Sequence, residues 1–258
     1  MAMPSAAPPE PRSAWSAPPA VLALRDDTVH VWRAELDRVG ADDVTRLACA
    51  LAPDERVRAS RFVFPPDRRR FTAARAALRF ILARYLGITA DAVGLRRLPE
   101  GRPTLTGEHA DALAFSVSRS AGLALCAVAL HREIGVDVER VVRGVADDVL
   151  RDRILSPAEV AALRPLPPQV RERAFFAAWT RKEAYAKARG LGLGLRFERF
   201  TVSTNPDAAA LLIADDDDPG RWTVRDLDAG PGYAAALAVT GELAGVSTWE
   251  WTTDLSVR

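Results

Sequence analysis

The five residues GVDVE, at positions 135–139, lie in EIGVDVERV (133–141), which has the composition of a β-strand. Side chains two apart on a strand face the same side, so Asp137 and Glu139 present two carboxylates together. Such like charges destabilise each other unless they share a cation, and hard oxygen ligands suit Mg²⁺, which takes phosphate oxygens as further ligands. The alternative is a solvent-facing polar stripe at a strand end.

A second stretch, WTRKEAYAK (179–187), belongs to a predicted long helix that ends at Gly190. Glu183 and Lys187 are four residues apart and therefore share one helix face, whereas Lys182 is displaced around the helix. A surface ion pair between positions 183 and 187 is the alternative to a functional role.

Outward from these two stretches, the sequence predicts alternating helices and strands. APDERVRASRF, DRRRFTAARAALRFILARYLG and SPAEVAAL have helical patterns, and strands are expected at 29–36, in LAFSVSRS and LALCAVAL, and at 199–203, 221–227, 233–239 and 246–251. We therefore predict an α+β fold. It has two similar halves in a pseudo-twofold arrangement, each with a long helix packed on a mostly antiparallel sheet, and a cleft between them.

The predicted division places a disordered, Ala/Pro/Ser-rich tail at residues 1–20, an N-terminal half at 21–132 and a C-terminal half at 133–258. The tail has no signal-peptide pattern, and no apolar run approaches the about 20 residues of a membrane span. The formal net charge is +1, so global charge does not indicate nucleic-acid binding. We expect a cytoplasmic protein without nucleic-acid or membrane partners.

Taken together, the two motifs resemble the signature of the 4′-phosphopantetheinyl transferase superfamily. GVD-x-E is followed by W-T-x-K-E-A-x-x-K, in which Thr180 stands where the family most often has Ser or Cys. The arginine-rich helix RFVFPPDRRRFTAARAALR, GRPTL (101–105), FSVSRS (115–120) and PGYAAALAV (231–239) extend the likeness. The length and paired halves resemble the monomeric, pseudo-dimeric class that activates surfactin synthetase, the Sfp type.

The resemblance implies a transferase that moves 4′-phosphopantetheine from coenzyme A to a serine of an apo acyl or peptidyl carrier protein. The reaction releases 3′,5′-ADP, requires Mg²⁺ (Mn²⁺ can substitute), and serves polyketide, nonribosomal peptide or fatty-acid synthesis. The N-terminal half would bind coenzyme A, and the C-terminal half would carry the metal and catalytic motifs. By position, the resemblance implies that the metal ligands are Asp137, Glu139 and Glu183. The implied catalytic residues are Glu183, Lys187 and Lys182. The implied coenzyme A contacts are Arg58, Arg75, Arg102, Ser118, Arg119 and Lys182.

One position departs from the family pattern. Arg119 in FSVSRS replaces a histidine that contacts coenzyme A phosphates in relatives, and Ser116 replaces an asparagine. Arginine is always charged and binds phosphate through a fork of N–H groups, so phosphate binding should persist. The acceptor of the serine proton stays open between Glu183 and a metal-bound water. A coenzyme A-binding protein without transfer activity and a nucleic-acid-binding module are the rival functions.

Overall fold

The computed structural model describes residues 15–142, 144, 154–190 and 196–254. Its mixture of helices and mainly antiparallel sheets confirms the predicted α+β class. The helices are α1 (Ala41–Leu47), α2 (Pro53–Ser60), α3 (Pro65–Leu86), α4 (Pro157–Leu163) and α5 (Pro168–Arg189). The strands are β1 (Thr28–Glu35), β2 (Leu95–Arg97), β3 (Pro103–Leu105), β4 (Ala114–Ser120), β5 (Leu123–Ala129), β6 (Ile134–Arg140), β7 (Phe200–Val202), β8 (Leu211–Ala214), β9 (Trp222–Asp226), β10 (Tyr233–Thr240) and β11 (Gly245–Trp251).

The two long helices, α3 and α5, have 22 residues each and share the same boundary chemistry. Both begin with proline, which lacks the N–H that a first helical turn leaves unpaired. Both end on a glycine in the left-handed conformation, Gly87 at φ 68° and Gly190 at φ 65°. Neither these helices nor any other in the described ranges is long and apolar enough to cross a membrane.

The strands form two main sheets, one in each half. The first has the order β11-β1-β5-β4 and the second the order β6-β10-β9, while β2-β3 and β7-β8 are separate hairpins. The last strand of the chain does not join the second sheet but returns to the first. There β11 pairs with β1 in parallel, with Thr28 opposite Gly245.

Three groups of buried apolar residues hold these layers together. One lies between α3 and the first sheet, and a second lies between α5 and the second sheet. The third lies between the sheets, where Val31 and Leu125 pack among Val136 and Leu237. The third group packs the two sheets against each other and holds the edge strands β4 and β6 side by side.

Part of the predicted disordered tail is attached to this body. Residues 1–14 lie outside the described ranges, but Ser16 forms a bridge alongside β11, accepting from the Glu250 N–H at 2.8 Å. The Trp15 indole N–H donates to the Asp228 carbonyl oxygen, and the guanidinium of Arg33 lies 5.1 Å from the Trp15 ring centre. The prediction of a disordered tail is therefore wrong for residues 15 and 16. It rested on average composition, which does not reveal that the single aromatic residue Trp15 contacts the folded body.

Candidate active site

A direct backbone contact between β6 and α5 positions the polar residues of the site. A Cβ at Gly135 would overlap the carbonyl oxygen of Ala184 and would lie 2.5 Å from the backbone nitrogen of Ala188. Only glycine permits this approach, so the first residue of the GVDVE motif is fixed by packing. The contact brings Asp137 of β6 beside Lys187 of α5.

Asp137 is the centre of a compact polar cluster. Its Oδ1 accepts from the Ser118 hydroxyl at 2.7 Å and from the Lys187 ammonium at 2.6 Å, and Lys187 also donates to Ser118 Oγ at 2.9 Å. The second oxygen, Oδ2, is buried and has no hydrogen-bond partner among the described residues. A buried carboxylate oxygen without a partner is costly unless a ligand satisfies it.

The charge of Asp137 also affects the pKa values of two further carboxyl groups. Burial, reinforced by that charge, raises the pKa of Glu139 to about 7, even though the Ser120 hydroxyl donates to its Oε2 at 2.8 Å. Burial and Asp137 also raise the pKa of Glu183. Three mutually repelling carboxylates, one of which has an unsatisfied buried oxygen, have the chemistry of a site for a hard divalent cation.

The side-chain conformations are not those of a preformed metal cage. Within the described ranges, no group of three or more His, Cys, Asp or Glu side chains is placed to hold a metal ion. Lys187 instead neutralises Asp137, as an internal counter-ion. If Asp137, Glu139 and Glu183 share one cation, Asp137 Oδ2 is a buried oxygen that has no protein partner among the described residues and is available to it.

A cavity of about 410 Å³ opens beside this cluster, between the halves. Its lining includes Glu183 and Lys187 of α5 and the apolar side chains of Phe71 and Leu78 of α3. The arginines that line the cavity are Arg58, Arg75, Arg97, Arg102 and Arg119. The predicted contacts at positions 58, 75, 102, 118 and 119 thus come together around one cavity.

The arginines around the cavity lie close enough to repel one another. Desolvation and the positive charge of Arg58 lower the pKa of Arg119, and desolvation and Arg58 likewise lower that of Arg97. Arg75 differs, because its Nε donates to Oε1 of buried Glu55 at 2.8 Å and the same carboxylate also binds Arg79. Arg75 therefore links α3 to α2 through this ion pair. The other arginines are more available to a ligand.

Sequence reasoning missed Arg97. The β2–β3 hairpin places it opposite Pro103, next to Arg102, across a turn closed by the Leu98 N–H to the Arg102 carbonyl at 2.9 Å. The signal was available, since Pro99 and Gly101 mark a turn between two arginines, and a hairpin brings its two arms together.

The structure corrects the predicted roles of Lys182. Its side chain is fully buried and does not line the cavity; its Nζ donates to Glu159 Oε1 at 2.9 Å, to Oε2 at 2.7 Å and to the Phe200 carbonyl at 2.6 Å. Burial lowers the pKa of Lys182 in spite of the neighbouring carboxylate. The helix turns by about 100° per residue, so Lys182 faces α4 and β7 while its neighbour Glu183 faces the cavity. Lys182 has a structural position, and neither the catalytic nor the coenzyme A role fits it.

An arginine-lined cavity facing a carboxylate–lysine cluster, at the junction of two α+β halves, defines an enzyme that handles an anionic substrate. Comparison with known proteins identifies the family. A family model described as "4′-phosphopantetheinyl transferase superfamily" matches residues 133–238, and one described as "4′-phosphopantetheinyl transferase, N-terminal" matches residues 40–131. The chain is similar to the 4′-phosphopantetheinyl transferase HetI of Nostoc, with 39% identity over 229 residues that cover 88% of this chain and 94% of that protein.

Other relatives are more distant. A 4′-phosphopantetheinyl transferase of Bacillus subtilis is 26% identical over 207 residues, which cover 78% of this chain and 88% of that protein. A solved holo-(acyl-carrier-protein) synthase from Bacillus anthracis, in complex with CoA, aligns with 43% of this chain and 96% of its own, at 21% identity and a TM-score of 0.36. The chain belongs to the 4′-phosphopantetheinyl transferase superfamily, which confirms the predicted family and enzyme class.

Proposed function

We propose that the cavity binds coenzyme A and that the chain transfers its 4′-phosphopantetheine to a serine of an apo acyl or peptidyl carrier protein, with Mg²⁺ and with release of 3′,5′-ADP. One observation carries the proposal: a cavity of about 410 Å³ is lined by five arginines together with Glu183 and Lys187, and Lys187 is paired with Asp137. Coenzyme A has the matching charge, since it carries a pyrophosphate and a separate 3′-phosphate.

The arginines would hold the phosphates. Arginine binds phosphate through paired N–H donors, and such charge-assisted bonds are about twice as strong as neutral ones. Burial and the positive charge of Arg58 lower the pKa of both Arg97 and Arg119, so a bound anion would favour the charged forms of these two guanidinium groups. We propose Arg58, Arg97, Arg119 and Arg102 as the phosphate contacts, with Arg75 supporting them from its Glu55 pair.

The carboxylate cluster would hold the reacting group. The carrier serine oxygen forms a bond to the β-phosphorus, the bond from that phosphorus to the oxygen bridging to the α-phosphorus breaks, and 3′,5′-ADP leaves. We propose that Asp137, Glu139 and Glu183 hold Mg²⁺, which when bound supplies charge neutralisation on the phosphate oxygens. Lys187 places a fixed positive charge beside Asp137, available to the developing charge.

The serine proton needs an acceptor close to the cavity. Glu183 lines the cavity, and burial raises its pKa above the usual range of a glutamate, which makes it a better proton acceptor. Glu183, or a water beside it, is our proposed acceptor. No nucleophile is required from this chain, because the attacking hydroxyl belongs to the carrier.

We also propose that the protein acts as a cytoplasmic monomer. Arginines of residues 21–132 and the Glu183–Lys187 face of residues 133–258 line the same cavity in one chain, so no second copy is needed to complete it. In this division the first segment supplies the coenzyme A contacts and the second supplies the metal and proton chemistry.

The test is direct transfer. The protein is incubated with coenzyme A, Mg²⁺ and an apo carrier protein, and the intact mass of the carrier is measured. We expect addition of one phosphopantetheine group, located on the carrier serine by peptide mapping, and none after chelation of divalent metal. If the protein binds coenzyme A but both acyl and peptidyl carriers stay unmodified, the result would instead support a binding protein without transfer activity.

A further inference from the structure

Strands β4 and β6 meet edge to edge, and serine side chains join them. The described strands form no backbone ladder between β4 and β6, which end separate sheets. Ser116, Ser118 and Ser120 alternate along β4 and therefore face one side. Ser116 Oγ accepts from the Val136 N–H at 3.1 Å, and Ser118 donates to Asp137 as described above.

Ser120 occupies the last position of this row and makes two contacts with β6. Its Oγ accepts from the Arg140 backbone N–H at 3.0 Å and donates to Glu139 Oε2 at 2.8 Å. A hydroxyl has one proton and two lone pairs, so acceptance from Arg140 leaves the proton for Glu139. One hydroxyl therefore ties the backbone of β6 to the carboxylate that β6 carries.

The backbone that carries Ser120 is itself fixed. Ala121, the next residue, has a φ of 50°, in the left-handed region. Gly122 follows, where a Cβ would collide with the Asp37 carboxylate, and that carboxylate is bound by Arg70 of α3 at 2.6 Å. The turn after β4 is thus locked against the first half of the protein, which makes Ser120 a rigid support for Glu139.

From this geometry we propose that Ser120 is a positioning residue for Glu139: it fixes Oε2 and leaves Oε1 as the oxygen that binds the cation. Oε1 makes no hydrogen bond with the residues that the structure describes. The inference rests on the proposed metal site. It extends that site from the second half into β4 of the first half, so that metal affinity depends on how the halves are joined.

Ser116 provides a matched control. It lies on the same strand and accepts from a β6 backbone N–H, as Ser120 does, but it contacts no carboxylate. Ser116→Ala and Ser120→Ala each remove one hydroxyl from the junction, so both should lower thermal stability. Of these two variants, only Ser120→Ala should weaken metal binding, because Ser120 contacts a proposed ligand and Ser116 does not.

The experiment measures the dissociation constant for Mn²⁺ by isothermal titration calorimetry in the wild type, Ser116→Ala, Ser120→Ala and Ser120→Thr, with melting temperatures alongside. Loss of a hydrogen bond to a metal-binding carboxylate typically costs about 10- to 100-fold in metal affinity, so we expect that loss in Ser120→Ala and recovery in Ser120→Thr. Ser116→Ala should stay within about twofold of the wild type.

Equal Mn²⁺ affinity in Ser120→Ala and the wild type, or equal losses in the two alanine variants, would overturn the positioning role. A wild type that transfers phosphopantetheine but binds no Mn²⁺ would overturn it together with the metal site. A wild type that binds Mn²⁺ but modifies no carrier would instead count against the proposed function and leave the comparison of serine variants decisive.

Discussion

Removal of the Lys182 ammonium should lower the free energy of unfolding without weakening coenzyme A binding. In Lys182→Met the Glu159 carboxylate stays buried, with only the N–H groups of Val202 and Ser156 as donors, both at 2.7 Å. Breaking a buried ion pair in this way typically costs about 3–5 kcal/mol. For a chain of this size each kcal/mol lowers the melting temperature by about 2–4 °C, so we expect a loss of roughly 6–20 °C.

Scanning calorimetry and chemical denaturation measure this loss, and titration with coenzyme A at a temperature where the variant is folded measures affinity. The double variant Lys182→Met/Glu159→Gln removes both charges and should recover part of the stability, with a coupling energy of about 1–3 kcal/mol. A coenzyme A dissociation constant raised tenfold, with unchanged stability, would refute the structural role. Lys182 would then be a phosphate contact, as the sequence resemblance implied.

Three other outcomes are expected. Arg119→Ala should weaken coenzyme A binding about 10- to 100-fold by calorimetry, with partial recovery in Arg119→Lys, because a charge-assisted hydrogen bond is worth about 1.5–3 kcal/mol; unchanged affinity would place Arg119 outside the site. Because burial raises the pKa of Glu139 to about 7, protons compete with the metal below that pH, and Mn²⁺ affinity should increase from about pH 6 to about pH 8; a flat profile would contradict this. A chain starting at residue 21 should melt below one starting at residue 15, because Trp15 and Ser16 bond to the body, and equal melting temperatures would show that these bonds add nothing.

Local sequence signals predicted much of this molecule. Glycines marked the C-terminal ends of both 22-residue helices, and the structure agrees at Gly87 and Gly190. The two-residue period of GVDVE placed Asp137 and Glu139 together, and the four-residue spacing placed Lys187 near Glu183. These features depend on neighbours within one turn or one strand, where the sequence carries the information.

Features that depend on distant packing were missed or misjudged. Lys182 and Glu183 are adjacent in sequence, yet Lys182 bonds to Glu159, 23 positions earlier, so only the packing of α5 on α4 decides their different roles. Trp15 is anchored by Asp228, 213 positions later. The parallel pairing of β11 with β1 likewise joins the two ends of the chain, and no local pattern indicates it.

The most direct test of this account is a crystal structure of the protein with coenzyme A and Mg²⁺. The account predicts that the pyrophosphate lies in the cavity between the halves, with Arg58, Arg97 or Arg119 on one side and a cation bound by Asp137 on the other. Coenzyme A bound elsewhere, or bound there with its pyrophosphate remote from Asp137 and Glu183, would contradict it.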